Sequence, residues 1–151
     1  MAFGRFAERN AARQRKRRDT CTFLGFTLYG TRNHRGNCKV GWKTEKSRLQ
    51  RSLAHFHQLL QRMRHDPLHE QASQINQRLR GHYAYYGIAG NVGSLLRVYR
   101  NVERYWRTML SSRSQKGTMR WEVFLRIKGT YPLQRPKLHL PYRRLKQYAV
   151  L

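Results

Sequence analysis

The sequence predicts a mainly α-helical protein, in which a short N-terminal β-hairpin precedes a bundle of three to four helices. Three observations carry this reading. The run Thr22–Tyr29 is rich in aromatic and β-branched residues, as strands are. Three later segments repeat apolar residues at steps of three and four, the period of a helix buried on one face. Pro and Gly punctuate the boundaries between them.

The elements follow in chain order. Residues 1–21 form a basic arm holding Arg5, Arg9, Arg13, Arg15, Lys16, Arg17 and Arg18, with no sustained apolar period. Residues 22–43 form a hairpin: one strand over Thr22–Tyr29, turn residues from Gly30 to Gly36, and a return strand over Lys39–Lys43. A first helix spans about Glu45 to Arg64, with Leu49, Leu53, Phe56, Leu60 and Met63 on one stripe and Arg48, Arg51, His55 and Arg62 opposite. His65-Asp66-Pro67 ends it, and Asp66 is placed to cap the next helix. That second helix buries Leu68, Ala72, Ile75, Leu79, Tyr83 and Tyr86 and stops at Gly87. Ser94 caps a third helix with Leu95, Val98, Val102, Tyr105, Trp106 and Met109 inward. A short fourth helix is predicted around Met119–Lys128, so the helical region is 44–129. Residues 130–151 form a basic, proline-punctuated tail.

Charge bounds the function. The chain has 151 residues, with 32 Lys and Arg against 7 Asp and Glu, a net charge of +25. Such an excess repels itself in the compact state, which a polyanionic partner relieves. Nucleic acid is the first candidate and an anionic membrane surface the second. No apolar stretch is long enough for a transmembrane helix, and the N-terminus has no apolar signal region, so a cytoplasmic protein without a membrane partner is expected. Cys21 and Cys38 are the only cysteines and read as ordinary reduced thiols. A zinc site with His34 lacks the close ligand pairs that zinc needs.

The residues for catalysis are missing. Nucleotidyl transfer needs carboxylates converging on Mg²⁺, yet the only aspartates are Asp19 and Asp66, and no two acids are adjacent. No phosphate-cradling loop or nucleophile–histidine arrangement is present. His55 and His57 lie two apart on a helix and diverge, and the histidines read as RNA-facing or surface groups. The basic faces are more telling. Arg97, Arg100, Arg104 and Arg107 recur at steps of three, four and three, and fit within an arc of about 80° away from the apolar stripe. Interleaved Tyr and Trp suit stacking on bases. By its residues alone, the chain is a binding module without a cofactor.

Residues 80–91 read RGHYAYYGIAGN. This segment resembles the RGHYxYYGxxGN motif of the thumb, or X, domain of group II intron reverse transcriptases, the intron maturases. Phe23-Leu24-Gly25-Phe26-Thr27 resembles the FLGF motif that closes the reverse transcriptase core in that family. Phe3-Gly4-Arg5-Phe6-Ala7 resembles the segment just past the polymerase palm. Ser94-Leu95, Tyr105-Trp106 and Trp121-Glu122-Val123-Phe124 also fit. The resemblance covers nearly the whole chain.

The resemblance implies a thumb-like helical domain that binds intron RNA, assists its folding and splicing, and grips the template–primer during reverse transcription and retrotransposition. Family members carry fingers and a palm with paired aspartates ahead of FLGF, and some carry a C-terminal endonuclease. Neither is in this sequence, so neither activity is carried onto it. Mg²⁺ is expected only in an associated palm or in the intron RNA. Three readings stay open: a maturase module acting in trans, beside or without a separate palm; the C-terminal part of a split or truncated reverse transcriptase; and a repurposed general nucleic-acid-binding protein. Within the motif, Arg80, His82 and Tyr85 are the candidate RNA contacts, while Tyr83 and Tyr86 lie on the apolar stripe. The third helix's four arginines form the preferred phosphate-binding face. Lys39, Lys43, Arg48, Arg51 and Arg62 come next.

Overall fold

A computed structural model describes residues 20–32, 36–113 and 117–148. The basic arm falls outside these residues, apart from Thr20 and Cys21. Three antiparallel strands, β1 (Thr20–Phe23), β2 (Phe26–Arg32) and β3 (Cys38–Thr44), form a sheet in the order β1-β2-β3. Five helices follow: α1 (Lys46–Arg62), α2 (Leu68–Tyr86), α3 (Val92–Ser111), α4 (Trp121–Thr130) and α5 (Tyr142–Tyr148). The mainly helical architecture with an N-terminal antiparallel sheet is the one the periodicities predict.

One strand was expected over Thr22–Tyr29, and two are found. Leu24 and Gly25 take φ values of 47° and 76°. Two consecutive positive φ angles make the tight hairpin turn whose twist matches its strands. Gly25 adopts this freely, whereas Leu24 carries the strain of a side chain in the left-handed region. The composition of the run hid the turn, because Phe23 and Phe26 on either side of it are both good strand residues.

The sheet has two unlike faces. Phe26 pairs with Thr44 and Leu28 with Trp42, so these four share a face. Phe26 and Thr44 are buried there. The opposite face carries Thr27, Tyr29 and Thr31, paired with Lys43, Gly41 and Lys39.

The core sits among the helices. Leu49, Phe56, Leu60 and Met63 of α1 meet Ile75, Leu79 and Tyr83 of α2 and Leu95, Val98, Val102, Trp106 and Leu110 of α3. α1 lies along α3. Phe124 brings α4 onto this cluster, its ring edge-on to Trp106 with centroids 5.6 Å apart. These belong to the predicted stripes, whose other members Leu53, Leu68, Tyr86, Tyr105 and Met109 are partly buried and pack against the core.

The helix termini depart from expectation. Asp66 does not cap α2; Pro67 occupies the cap position without a side-chain hydrogen bond. Gln71, which is 2% exposed, instead satisfies the carbonyls of the turn that precedes α2. Its amide Nε2 donates to the carbonyls of Met63 (2.6 Å) and Asp66 (3.2 Å), and its Oε1 accepts from Trp106 Nε1 at 2.7 Å. Arg113 donates to the same turn, at Arg64 O and Asp66 O. Asn91, not Ser94, stands ahead of α3. At Gly87 the reason for glycine is space: a Cβ would lie 2.2 Å from Tyr83 O and 3.0 Å from Lys137 O. The tail passes there, with His139 and Leu140 N–H donating to Gly87 O and Ala89 N–H to Leu140 O. Leu133 enters the core, and Asn76 bonds both Pro132 O and Gln134 N, so the segment after Thr130 packs against α2.

Replacing Gln71 by Leu is expected to strand the Trp106 N–H and the turn carbonyls. The expected cost is about 2–3 kcal/mol. Thermal unfolding should show Tm falling by about 4–12 °C; an unchanged Tm would remove Gln71 as the turn's organiser.

Candidate nucleic-acid interface

The motif at the end of α2 and the turn between β1 and β2 meet in space. The Phe26 ring stacks on Tyr85 with centroids 6.1 Å apart and meets Tyr86 edge-on at 5.3 Å. The Tyr85 hydroxyl donates to Leu24 O at 3.0 Å. Gly25 O accepts from Glu45 N–H at 2.9 Å. A Cβ on Gly25 would stand 3.3 Å from the Tyr86 hydroxyl and 3.5 Å from Arg48 Cγ. The turn is thereby clamped against α2 and the start of α1. It leaves Phe23 (57%), Leu24 (66%) and Tyr85 (55%) exposed beside Arg48.

Two arginine stripes lie on the outward faces of α1 and α3, with Arg48 nearest the knot. Arg48, Arg51 and Arg62 are exposed on α1, together with His55. At 100° per residue all four fall on one side of the helix, opposite Leu49, Phe56 and Leu60. Arg97, Arg100 and Arg104 are exposed on α3 in the same manner. Among the described residues, ion pairs join Glu103 to Lys128 and Glu70 to His69. Neither involves these arginines. Six guanidinium groups thus stand at the surface with their charge uncompensated by ion pairing.

Arg107 belongs to the predicted stripe by spacing but is half-buried. Its Nε and Nη2 donate to Met119 O at 3.0 and 2.8 Å, and its guanidinium lies 5.2 Å from the Trp121 ring centroid. It fastens α3 to the segment leading into α4. The 80° arc places it at the edge of the stripe nearest α4, a proximity that spacing alone does not reveal.

His82 is also placed differently from a surface contact. Its ring packs 4.7 Å from that of Tyr86 and 6.2 Å from that of Tyr83. Its Nε2 is buried without a hydrogen-bond partner. Burial lowers its pKa to about 4, so it carries no charge at neutral pH. Tyr83 is buried, and burial raises its hydroxyl pKa, with Tyr99 and Glu103 adding to the effect. Burial, with Tyr85 beside it, likewise pushes the Tyr86 hydroxyl up, against the opposing pull of Arg48 and Arg51. His57 is half-buried against Tyr105, 5.0 Å away, rather than at the surface, whereas His55 is exposed. Arg80 is exposed on α2.

Lys39 and Lys43 lie on β3, on the sheet face away from Phe26. Lys43 Nζ stands 5.4 Å over the Tyr29 ring. Lys39 Nζ stands 5.0 Å over the Tyr142 ring and 3.5 Å from its hydroxyl. Sequence reading missed Tyr29 and Tyr142, since their proximity depends on α5 returning to the sheet.

Cys21 carries a free thiol. The zinc arrangement with His34 falls partly outside the described residues. Among the described residues no three His, Cys, Asp or Glu side chains cluster as metal ligands, and no helix is long and apolar enough to cross a membrane. No protein-family model, curated protein or solved structure gives a significant match to this chain.

Two measurements separate surface charge from structure. Changing Arg97, Arg100 and Arg104 together to Gln should shift stability by no more than about 0.5 kcal/mol per site. Arg107→Gln should cost about 1–2 kcal/mol, because a charged donor to a carbonyl is lost. Equal effects in thermal unfolding would mean that Arg107 is not a tether. The His82 contribution has a definite sign. Its folded pKa of about 4 lies below the ordinary 6.5, so it favours folding fully above pH 6.5. That contribution is lost as pH falls from 6.5 towards 4. His82→Phe should therefore show a flatter fall of Tm with pH across this window than the parent chain. Parallel curves would refute the buried neutral imidazole.

Proposed function

We propose that this chain is an RNA-binding module of the group II intron maturase type, a thumb-like domain that binds structured intron RNA and assists its folding and splicing. The observation that carries the reading is the knot joining the FLGF turn to the YYG end of α2, on a molecule that also exposes two arginine stripes. The two segments that resemble the family are far apart in sequence, yet they pack ring against ring. A chance resemblance at either one gives no reason for the other to lie against it.

The chemistry supports binding rather than catalysis. Arg48, Arg51 and Arg62 on α1 and Arg97, Arg100 and Arg104 on α3 offer bidentate donors to phosphate. Exposed Tyr85, Phe23 and Leu24 offer apolar surface between charges, suited to sugars and unstacked bases. The strain held at Leu24 keeps an apolar side chain outward at the tip of the turn, where Asn or Gly would fit the backbone better. In this reading the chemical steps belong to the intron RNA with its Mg²⁺, or to a polymerase palm. Joined to a palm, the same surface would grip a template–primer duplex.

Binding should depend steeply on salt. With six to ten phosphate contacts, affinity for a folded group II intron RNA should fall by about 10³–10⁵ between 50 and 200 mM salt. The triple change of Arg97, Arg100 and Arg104 to Gln should lower the log–log salt slope by roughly 2–3. A flat salt response, or equal affinity for intron RNA and unrelated duplex DNA, would overturn the maturase reading.

A further inference from the structure

The outer face of the sheet holds a cleft of about 330 Å³ that the arginine stripes do not touch. Its walls include Tyr29, Lys39, Gly41, Gly90 and Tyr142. It lies on the opposite side of the sheet from the Phe26 knot, as the strand register requires. We propose that this cleft is a separate site for single-stranded RNA, in which a base stacks on Tyr142 and Tyr29 and the adjoining phosphates meet Lys39 and Lys43. The proposal rests on the RNA-binding reading and names a second class of RNA that the chain holds.

Several features favour this occupant. Tyr142 is 49% exposed although it is a large aromatic ring. Gly41 lies under Tyr29: a Cβ there would come within 2.6–3.0 Å of the Tyr29 ring carbons. Glycine therefore lets the ring lie flat along the sheet, with its outer side toward solvent. Gly90 plays the same part at the opposite wall, where a Cβ would stand 3.1 Å from the Tyr142 hydroxyl. Each ring has a lysine over it, at 5.4 Å for Lys43 on Tyr29 and 5.0 Å for Lys39 on Tyr142. An exposed lysine–ring contact is weaker than base stacking on the same ring. An arriving base would displace the ammonium groups, which swing on flexible stems to the phosphates that accompany it. The rest of the face is threonine, Thr27 and Thr31 on β2 and Thr20 and Thr22 on β1, and Arg32 also lines the cleft, with no carboxylate among the residues paired across it. A duplex buries its bases and cannot offer one to such a cleft, so the ligand is a single strand.

The test compares a fluorescein-labelled octamer of uridine with a blunt RNA duplex of 16 base pairs, both by anisotropy on the full chain. Tyr29→Leu and Tyr142→Leu should each weaken octamer binding by about 5- to 100-fold. The salt slope for the octamer and the affinity for the duplex should not change. Tyr142→Trp should retain octamer binding, since its ring still stacks. Lys39→Gln should instead lower the octamer salt slope by about 0.7. Unchanged octamer affinity in both Leu variants would overturn the proposal, as would equal losses on octamer and duplex. A parent chain that binds the duplex but not the octamer would sink the cleft alone; one that binds neither would sink the RNA-binding reading as well. Should Tyr29→Leu fail to fold, photocrosslinking of the parent chain to an octamer carrying 5-iodouridine decides. Adducts at Tyr29 or Tyr142 support the cleft, and adducts confined to α1 and α3 refute it.

Discussion

The side-chain amide of Asn91 joins the end of β3, the end of α2 and the start of α3. Its Oδ1 accepts from Thr44 N–H at 2.8 Å, at the end of β3. Its Nδ2 donates to Thr44 Oγ1 at 2.9 Å and to Tyr86 O at 2.8 Å, at the end of α2. Its own carbonyl starts α3, accepting from Ser94 and Leu95 N–H. The residue is 1% exposed, so each of these groups would be stranded without it. A three-stranded sheet of this size has too little apolar area to hold its own place. Asn91 fixes where the sheet sits against the helices, and so fixes both the Phe26–Tyr85–Tyr86 knot and the walls of the cleft beside Gly90. The knot and the cleft thus meet at one amide.

The excess charge shapes the rest. A net charge of +25 must be spread so that it does not prevent folding. The fold manages this by giving each of α1 and α3 a fully apolar stripe and a basic face turned the other way. Two half-buried cations, Lys128 and Arg107, have partners. Lys128 meets Glu103 at 2.5 Å, which holds its pKa above the usual value. Arg107 and Arg113 spend their donors on backbone carbonyls. The arginines without such duties are those on the outward faces. Arg107, Arg113 and Lys128 thus have partners that tie elements together, whereas the exposed arginines of the α1 and α3 faces have none among the described residues.

That division was only partly legible in the sequence. The helical stripes were plain, because burial on one side imposes a period that survives any detail of packing. α1 and α2 end within two residues of their predicted limits, and Gly87 stops α2. Gln71 and Asn91 were invisible, since a buried amide in a polar-rich helix looks like any exposed one. The turn at Leu24-Gly25 was hidden by strand-forming neighbours. Arg107 fits the arginine spacing as well as Arg100 does, and only the return of the chain at Met119 removes it from the surface. Tyr29 and Tyr142 are 113 residues apart, and no local pattern could pair them.

The motif itself shows why such pairings matter for interpretation. Of the residues from Arg80 to Asn91, Tyr83 is in the core, His82 is packed and neutral, and Tyr86 is wedged between Phe26 and His82. Gly87 admits the tail, and Asn91 holds the sheet. Only Arg80 and Tyr85 among the three candidate contacts face outward, and Tyr85 also holds Leu24 in place. Most of the motif is therefore spent on building the joint between sheet and bundle. It specifies a shape, and the charges that shape presents come from residues outside it. The arginines of the α3 face could be exchanged without disturbing this joint, whereas Arg48 packs beside Gly25 within it. Conversely, a change at Asn91 or Gly87 would disturb the joint itself, since one holds the sheet and the other admits the tail.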